Sequence, residues 1–274
     1  ETNETPAPPQ NEKLVLLKSA SPGGIELNYK NRNEIESLST DGMYGKSDIN
    51  YEYDAYGRII KERRFSHRYD YGETNITYQY DGQGRLTSSH AISTEFYPGT
   101  GLTPRCSVEK KHAYTYQGNK VIVKIEMGTD TCSAIPETGK EKTITLLVEN
   151  GKVVKSLDEN NQIIETIEYH NTKNALRNIK GFPALVAEFY IRAFTYKLNW
   201  YNNIELVQDL RFIDNVKTRD LHNGNHIMYE YRTENYEITD KDYPYKVIAL
   251  EKSSSDPTQQ SLVYMNERNY IEEQ

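Results

Sequence analysis

The amino-acid sequence predicts a mainly β fold, an antiparallel sheet of repeated hairpins that is open or partly rolled, with a short helical insertion around residues 182–212. Three observations lead to this prediction. A tyrosine-containing motif of nine residues recurs along the chain, glycine or asparagine occupies the turn position of each copy, and one segment has the apolar spacing of a helix.

The repeat is clearest at residues 51–59, where YEYDAYGRI recurs at 78–86 as YQYDGQGRL. Weaker copies of the same length occupy 27–35 and 155–163. Internal repeats of this kind indicate one supersecondary unit used several times. Period-two alternation of apolar and polar residues within each copy predicts strands on both sides of a turn.

The seventh position of the four copies holds Asn33, Gly57, Gly84 and Asn161. These residue types tolerate positive φ best, so the pattern predicts a three-residue hairpin loop with one left-handed residue. It places Tyr53 opposite Ile59, with Asp54 facing Arg58. The other copies would form the charge pairs Asp81–Arg85 and Lys30–Glu34.

Two shorter hairpins carry two-residue turns, at Gly118–Asn119 and at Asn150–Gly151. Asparagine followed by glycine is a strong hairpin signal. The second turn predicts pairs between Glu149 and Lys152, between Val148 and Val153, and between Leu147 and Val154.

Tyrosine dominates the aromatic residues, with 23 Tyr against 6 Phe and 1 Trp. Period-two geometry places the tyrosines of successive hairpins on one face of the sheet. Two interpretations remain open for this face: packing of the core and of neighbouring strands, or a surface on which a glycan or peptide stacks. The residues concerned are Tyr51, Tyr53, Tyr78, Tyr80, Tyr114 and Tyr116.

The two cysteines, Cys106 and Cys132, bracket the hairpin that turns at Gly118–Asn119. One bulge residue would bring them into register, which favours a disulfide bond in an oxidising compartment. The alternatives are two unrelated buried thiols or, less favoured, a metal site, which lacks a nearby pair of histidines.

Residues 182–194 carry apolar side chains at helical spacing, and Pro183 suits a first helical turn. A weaker candidate helix spans 203–212. We expect the helical insertion to pack on the sheet as a lid. A flap that binds a partner is the alternative.

The first twelve residues form a polar, proline-rich stretch, expected to be a disordered tether before a single repeat-built β domain at 13–274. Such a tether is typical of the segment after a removed signal peptide or a lipidated cysteine, although the chain could also begin at an arbitrary point. The net charge of −7 argues against a nucleic-acid partner. No apolar stretch reaches the length of a membrane-spanning helix.

Motifs for chemistry are weak. Of the six histidines, His222 and His226 have ligand-like spacing, but they lie in a loop without a third ligand, so no metal site is predicted. No catalytic residues and no cofactor-binding motif are predicted either. Paired carboxylates are too common among 40 acidic residues to identify a site.

The motif Tyr-x-Tyr-Asp-x-x-Gly-Arg-Ile/Leu at 51–59 and 78–86 resembles the YD repeat of bacterial Rhs-type and teneurin-like proteins, whose hairpins build a β shell. The hairpins, the proline-rich start and the segment 169–182 together are similar to Bacteroides-type secreted lipoproteins of unknown function. This resemblance implies export, a periplasmic or cell-surface location and a lipid anchor outside this chain; it supplies no active site.

The function expected from the sequence is that of a non-enzymatic cell-envelope lipoprotein. It would bind an envelope protein or a glycan through its tyrosine-rich sheet or beside its helical segment. A purely structural or assembly role is an alternative. The rival from another class is a hydrolase of envelope polysaccharide, which requires two carboxylates about 5 to 9.5 Å apart in a cleft.

Overall fold

The structure is a computed structural model of the 274-residue chain. It describes residues 14–21, 24–42, 45–67, 72–97, 103–133, 138–195, 216–223, 226–238, 243–253 and 256–273. The expected tether at 1–12 and the candidate helix at 203–212 lie outside these ranges.

Sixteen strands are present in the described residues, and consecutive strands are antiparallel neighbours wherever a hairpin joins them. The strands are β1 (Leu14–Ser21), β2 (Ile25–Asn31), β3 (Glu34–Gly42), β4 (Gly45–Tyr53), β5 (Ile59–Ser66), β6 (Gly72–Tyr80), β7 (Leu86–Phe96), β8 (Pro104–Gln117), β9 (Lys120–Asp130), β10 (Glu141–Glu149), β11 (Lys152–Leu157), β12 (Ile163–Tyr169), β13 (Val216–Asn223), β14 (His226–Ile238), β15 (Pro244–Ser253) and β16 (Asp256–Glu273).

The strand order closes on itself, because β1 pairs with β16 in antiparallel register from Leu14–Glu273 to Ser21–Glu267. The result is a closed barrel. The predicted antiparallel fold with a short helical insertion is therefore confirmed. The sheet is more completely rolled than the open or partly rolled form expected, since closure depends on pairing between the two ends of the chain.

The predicted hairpin register is present in the two clear copies of the repeat. Tyr53 pairs with Ile59 and Tyr80 pairs with Leu86, each beside a β-bulge. The turn residues adopt left-handed conformations, with φ of 76° at Gly57 and 78° at Gly84. The copy at 155–163 forms the same turn, with φ of 60° at its seventh residue.

Two details of the predicted registers are wrong. In the first copy Asn31, rather than Lys30, pairs with Glu34, so the turn has two residues. This turn is bound from outside the hairpin, because Asn33 exchanges hydrogen bonds with the helical segment. In the Asn150–Gly151 hairpin the two pairs nearest the turn are as predicted, but a bulge shifts Leu147 from Val154 to Lys155.

The strands alternate between an apolar inner face and a charged outer face. Inner positions such as Ile35, Ile59 and Leu86 are fully buried. The outer face carries ion pairs, including Lys61–Glu52 at 3.0 Å and Lys124–Glu141 at 2.7 Å, and the hydrogen-bonded pair His90–Glu109 at 2.7 Å. The core of the protein thus lies inside the barrel.

The helical segment packs against the inner face. It consists of two 3₁₀ turns, Ala175–Asn178 and Phe182–Leu185, followed by α1 (Val186–Thr195). The ring of Phe182 is 5.8 Å from that of Tyr51 and 5.1 Å from that of Phe189, centroid to centroid. The helix predicted at 182–194 is present as an α-helix from Val186, whereas residues 182–185, with Pro183, form a 3₁₀ turn that leads into it. No helix within the described residues is long and apolar enough to cross a membrane.

Candidate functional site

Five hairpin turns within the described residues share one end of the barrel, because every second connection of an up-and-down sheet lies at the same end. We call this end the turn rim; it comprises residues 30–34, 54–58, 81–85, 117–120 and 149–152. Residues 170–185, which we call the cover segment, cross this end. The Lys180 N–H donates to the Asn33 carbonyl at 2.9 Å, and Arg177 Nη2 donates to the Gly151 carbonyl at 3.1 Å.

Asp54 organises the turn between β4 and β5. Its Oδ1 accepts from the backbone N–H groups of Tyr56 and Arg58, both at 2.9 Å, while its Oδ2 accepts from Arg58 Nε at 2.7 Å and Nη2 at 2.6 Å. Desolvation alone would raise the pKa of Asp54, but these donors outweigh it and hold the pKa below its usual value. Asp81 binds Arg85 in the same way.

Each of these arginines also contacts the next hairpin. The guanidinium of Arg58 lies 5.0 Å from the ring centroid of Tyr80, and Tyr80 Oη donates to the Ile59 carbonyl at 2.6 Å. Residues eight and nine of one copy therefore bind the third residue of the next. Burial raises the pKa of the Tyr80 hydroxyl, so it remains a hydrogen-bond donor at neutral pH.

The same contact recurs around the rim. Arg85 lies 4.9 Å from the ring of Tyr116, and burial raises the pKa of Tyr116 to about 12. Lys152 lies 5.2 Å from the ring of Tyr169, whose hydroxyl donates to the Val153 carbonyl at 2.7 Å. A cation on one turn thus covers a tyrosine of the following hairpin at three places.

Tyr56 is the exposed aromatic side chain of the rim. It is 81% exposed, the largest exposure among the large hydrophobic residues of the described chain. The Arg58 guanidinium lies 5.0 Å from its ring centroid as well. Since Asp54 fixes Arg58, the ring of Tyr56 stands on a rigid support while facing solvent.

The tyrosines predicted as a possible ligand surface lie on the inner face. Tyr78 and Tyr114 are buried, and the remaining four pack partly buried against the core: Tyr51, Tyr53, Tyr80 and Tyr116. Of the two interpretations that the sequence left open, core packing accounts for these contacts. A role in ligand binding stays a prediction, and Tyr56 was missed because it lies outside the alternating strand positions.

A buried polar cluster surrounds Glu188 on α1. Its Oε2 accepts from Ser89 Oγ at 2.7 Å and from the Tyr114 hydroxyl, and it lies 3.0 Å from His112 Nδ1. Burial alone would raise the pKa of Glu188, but the charge and hydrogen bond of His112, with the two hydroxyls, lower it. His112 Nε2 is buried and has no hydrogen-bond partner among the described residues.

Two further carboxylates, those of Glu165 and Glu62, are buried on the barrel wall. Glu165 accepts from the Tyr190 hydroxyl and from Arg219, and Tyr190 Oη also donates to Ser156 Oγ at 2.9 Å. Glu62 accepts from Arg64 and Tyr78. Sequence reasoning missed all three glutamates. A signal was available in the sequence. Glu62 and Glu165 occupy inward-facing positions of strands, and Glu188 lies within the apolar spacing of the helix.

The Glu188 cluster lacks the geometry of a catalytic relay. Both Ser89 and Glu188 approach the same imidazole nitrogen, whereas a relay needs the nucleophile and the acid on opposite nitrogens. The three carboxylates, those of Glu62, Glu165 and Glu188, are all fully buried. Glu188 and, through Tyr190, Glu165 attach α1 to the barrel wall.

Cys106 and Cys132 are joined by a disulfide bond, with their Cα atoms 5.0 Å apart. Glu95 lies beside them, but the bonded sulfurs are not available as thiolate ligands for a metal. Of the histidine pair noted in the sequence, His222 Nε2 is 3.0 Å from Thr166 Oγ1, and the side chain of His226 lies outside the described residues.

Comparisons with known proteins give structural likenesses alone. No protein-family model and no curated protein matches the chain. A porin-like protein from Bacteroides vulgatus is similar at 12% identity and a TM-score of 0.47, over 93% of this chain and 99% of that one. A porin-like protein from Bacteroides uniformis is similar at 9% identity and a TM-score of 0.33, over 92% of this chain and 78% of that one. Similarity at this level does not transfer a function.

Proposed function

We propose that this protein is a non-enzymatic binding module of the cell envelope, located outside the cytoplasm, whose contact surface is the turn rim around Tyr56. The observation that carries the proposal is the ring of Tyr56, which is 81% exposed and supported by Arg58. Exposing a large aromatic ring on a rigid turn gains nothing for folding, whereas a preorganised aromatic anchor favours binding.

The order of the turn supports the proposal. Asp54 receives four hydrogen bonds from Tyr56 and Arg58, so little conformational entropy is lost when a partner covers the ring. The partner class is an envelope protein or a glycan, both of which pack flat groups on exposed tyrosine. The disulfide agrees with an oxidising compartment outside the cytoplasm.

The test compares wild type with Tyr56→Ala and with Ile92→Ala on a glycan array and in envelope pull-downs. Ile92 is a matched control, because it is 43% exposed but lies on the outer wall of β7. We expect Tyr56→Ala to lose at least one glycan or protein that the Ile92 variant retains. Identical profiles for the three proteins would overturn the assignment to the rim.

A hydrolase is the second candidate, and no described pair of accessible carboxylates favours it over binding. Incubating the full chain with envelope polysaccharide and measuring reducing ends separates the two classes. Release that grows with protein concentration would refute a non-enzymatic role.

A further inference from the structure

Three side chains of the kind that bind metal ions meet at the end of the barrel opposite the turn rim. Glu95 lies near the end of β7, Cys106 near the start of β8, and Cys132 just after β9. A carboxylate oxygen of Glu95 and the two sulfurs lie within 4.8 Å of one another. Within the part of the chain that the structure describes, no other group of three His, Cys, Asp or Glu side chains comes this close.

Glu95 was the ligand that the sequence did not reveal. It reaches the cysteines through the pairing of β7 with β8, where it lies directly opposite Cys106. Opposed residues of an antiparallel pair share one face of the sheet, and Glu95 Oε2 is 3.4 Å from Cys106 Sγ. The same carboxylate lies 3.8 Å from Arg105 Nη1, in an exposed ion pair of the kind that contributes little. Exchanging this contact for a metal ion therefore costs little.

The backbone beside the two cysteines is held without the disulfide. The Ser107 N–H donates to Thr131 Oγ1 at 2.8 Å, and the Thr131 N–H donates to the Ser107 carbonyl at 2.9 Å. Asp130 Oδ1 accepts from the N–H groups of Cys132 and Ser133, both at 3.0 Å. The two cysteines therefore stay side by side when the bond between them is broken. Such preorganisation favours the binding of one ion by both sulfurs.

The disulfide is accessible to reduction, because both cysteines are half-buried rather than enclosed in the core. A dithiol reductant would transfer two electrons and two protons to it. The S–S bond breaks, two thiols form, and the dithiol becomes a disulfide itself. When a divalent cation binds, the two thiols lose their protons and become thiolates. Two thiolates and the Glu95 carboxylate then repel one another, and the cation offsets that repulsion.

We propose that Cys106 and Cys132 in their reduced form, together with Glu95, bind one thiophilic divalent cation such as Zn²⁺, and that the disulfide closes this site. Thiolate ligands favour zinc over hard cations such as Ca²⁺. Two sulfurs on a tetrahedral zinc lie about 3.8 Å apart. Side-chain rotation provides that spacing, since the two Cα atoms are 5.0 Å apart. Three protein ligands leave the fourth position for water.

The test uses the full chain, reduced with a dithiol, freed of reductant under nitrogen and titrated with Cd²⁺ alone. Cadmium is the probe because its bonds to thiolates give ultraviolet charge-transfer absorption. We expect this absorption to saturate at one Cd²⁺ per reduced chain, and the bound metal to protect both thiols from iodoacetamide. The oxidised chain should show neither effect. A reduced chain without the absorption, or with thiols that Cd²⁺ does not protect, would overturn the proposal.

A pair of matched variants identifies the third ligand. Glu95→Gln and Glu141→Gln remove the same charge from partly exposed carboxylates that each lie near a basic side chain. Competition with a chelator should show Cd²⁺ bound at least about tenfold more weakly by reduced Glu95→Gln than by reduced wild type. The Glu141 variant should match wild type. Equal affinities for all three proteins would contradict a site completed by Glu95.

Melting temperatures give an independent measurement, because an ion bound by the folded chain alone stabilises it. The reduced chain should melt at a higher temperature in Cd²⁺ than in a chelator, whereas the double variant Cys106→Ser, Cys132→Ser should melt at the same temperature in both. No difference for the reduced chain would reject the site. Loss of its β-sheet circular dichroism on reduction would also reject it, because the proposal requires the backbone to hold both cysteines in place. This inference does not involve the turn rim, so its failure leaves the proposed binding function untouched.

Discussion

Arg58 and Tyr80 join two consecutive copies of the repeat, with the guanidinium 5.0 Å from the ring centroid. The carbonyl of Ile59, the residue after Arg58, accepts a 2.6 Å hydrogen bond from the hydroxyl of the same tyrosine. The residues that make the repeat recognisable in the sequence therefore make the contact between hairpins. The motif encodes both a turn and its attachment to the next turn.

The hydroxyl of Tyr80 should contribute measurably to stability. Tyr80→Phe removes the donor to the Ile59 carbonyl and should lower the free energy of unfolding by about 1 kcal/mol in urea titrations. Tyr56→Phe, at a ring that is mostly in solvent, is the matched control and should leave the unfolding midpoint unchanged. Equal midpoints for Tyr80→Phe and wild type would show that water replaces the bond without loss.

Gly57 and Gly84 provide a matched pair for the contact between the rim and the cover segment. Both have φ near 77°, so an alanine at either position should cost about 1 to 2 kcal/mol in backbone strain. A Cβ at Gly84 would meet no described residue within 4 Å, whereas one at Gly57 would lie 1.8 Å from Lys180 Cε. Lys180 must then move from Glu34, and we expect Gly57→Ala to lower the melting temperature further than Gly84→Ala. Equal decreases in melting temperature would mean that Lys180 and the cover segment move away from the new methyl group without loss of stability.

The Glu188 cluster should be essential for holding α1 in the barrel. Glu188→Gln removes the charge that pairs with His112 and should cost about 3 kcal/mol of unfolding free energy. Glu141→Gln, which removes an exposed ion pair with Lys124 on the outer wall, should have no resolvable effect. Similar unfolding curves for the two variants would contradict a structural role for the buried cluster.

Acid should destabilise the protein partly through the same carboxylate. The pKa of Glu188 is lower in the folded chain than the usual 4.5, so the unfolded chain takes up a proton first as pH falls. Its stabilising contribution is complete above about pH 4.5 and is lost as pH falls towards the folded pKa. Unfolding free energies measured from pH 6 to pH 3 should fall more steeply for wild type than for Glu188→Gln. Parallel curves would disprove this linkage.

The disulfide should stabilise the long β8–β9 hairpin. Cys106 and Cys132 are separated by 26 residues, for which loop-closure entropy predicts about 3 to 4 kcal/mol. Replacing both cysteines by serine should lower the unfolding free energy by that order, and a reducing agent should have the same effect on wild type alone. A double variant with wild-type stability would indicate that the hairpin is already restrained by its neighbours.

Local features of the fold could be predicted from the sequence, because they depend on neighbouring residues. The left-handed turns at Gly57 and Gly84 and the pairing of Tyr53 with Ile59 follow from turn chemistry and period-two alternation. Closure of the barrel could not be predicted, since the strands of an open and of a closed sheet show the same alternation of apolar and polar residues. It depends on pairs such as Leu14 with Glu273, which no local pattern records.

The candidate site was only partly predictable for the same reason. The charge pair between Asp54 and Arg58 was expected, but the contact of Arg58 with Tyr80 depends on how two hairpins lie side by side. Glu188 sits within an apolar helical pattern, where an acid usually marks a solvent-facing position. It is buried because the helix is enclosed by the barrel and meets His112 there.

A double-mutant cycle between Arg58 and Tyr80 tests the central claim, that the repeat joins each hairpin to the next through these two positions. Arg58→Ala, Tyr80→Leu and the double variant are compared with wild type by urea unfolding. We predict a coupling free energy of about 0.5 to 1.5 kcal/mol, since either single change already removes the contact. Additive effects, within about 0.3 kcal/mol, would contradict the claim.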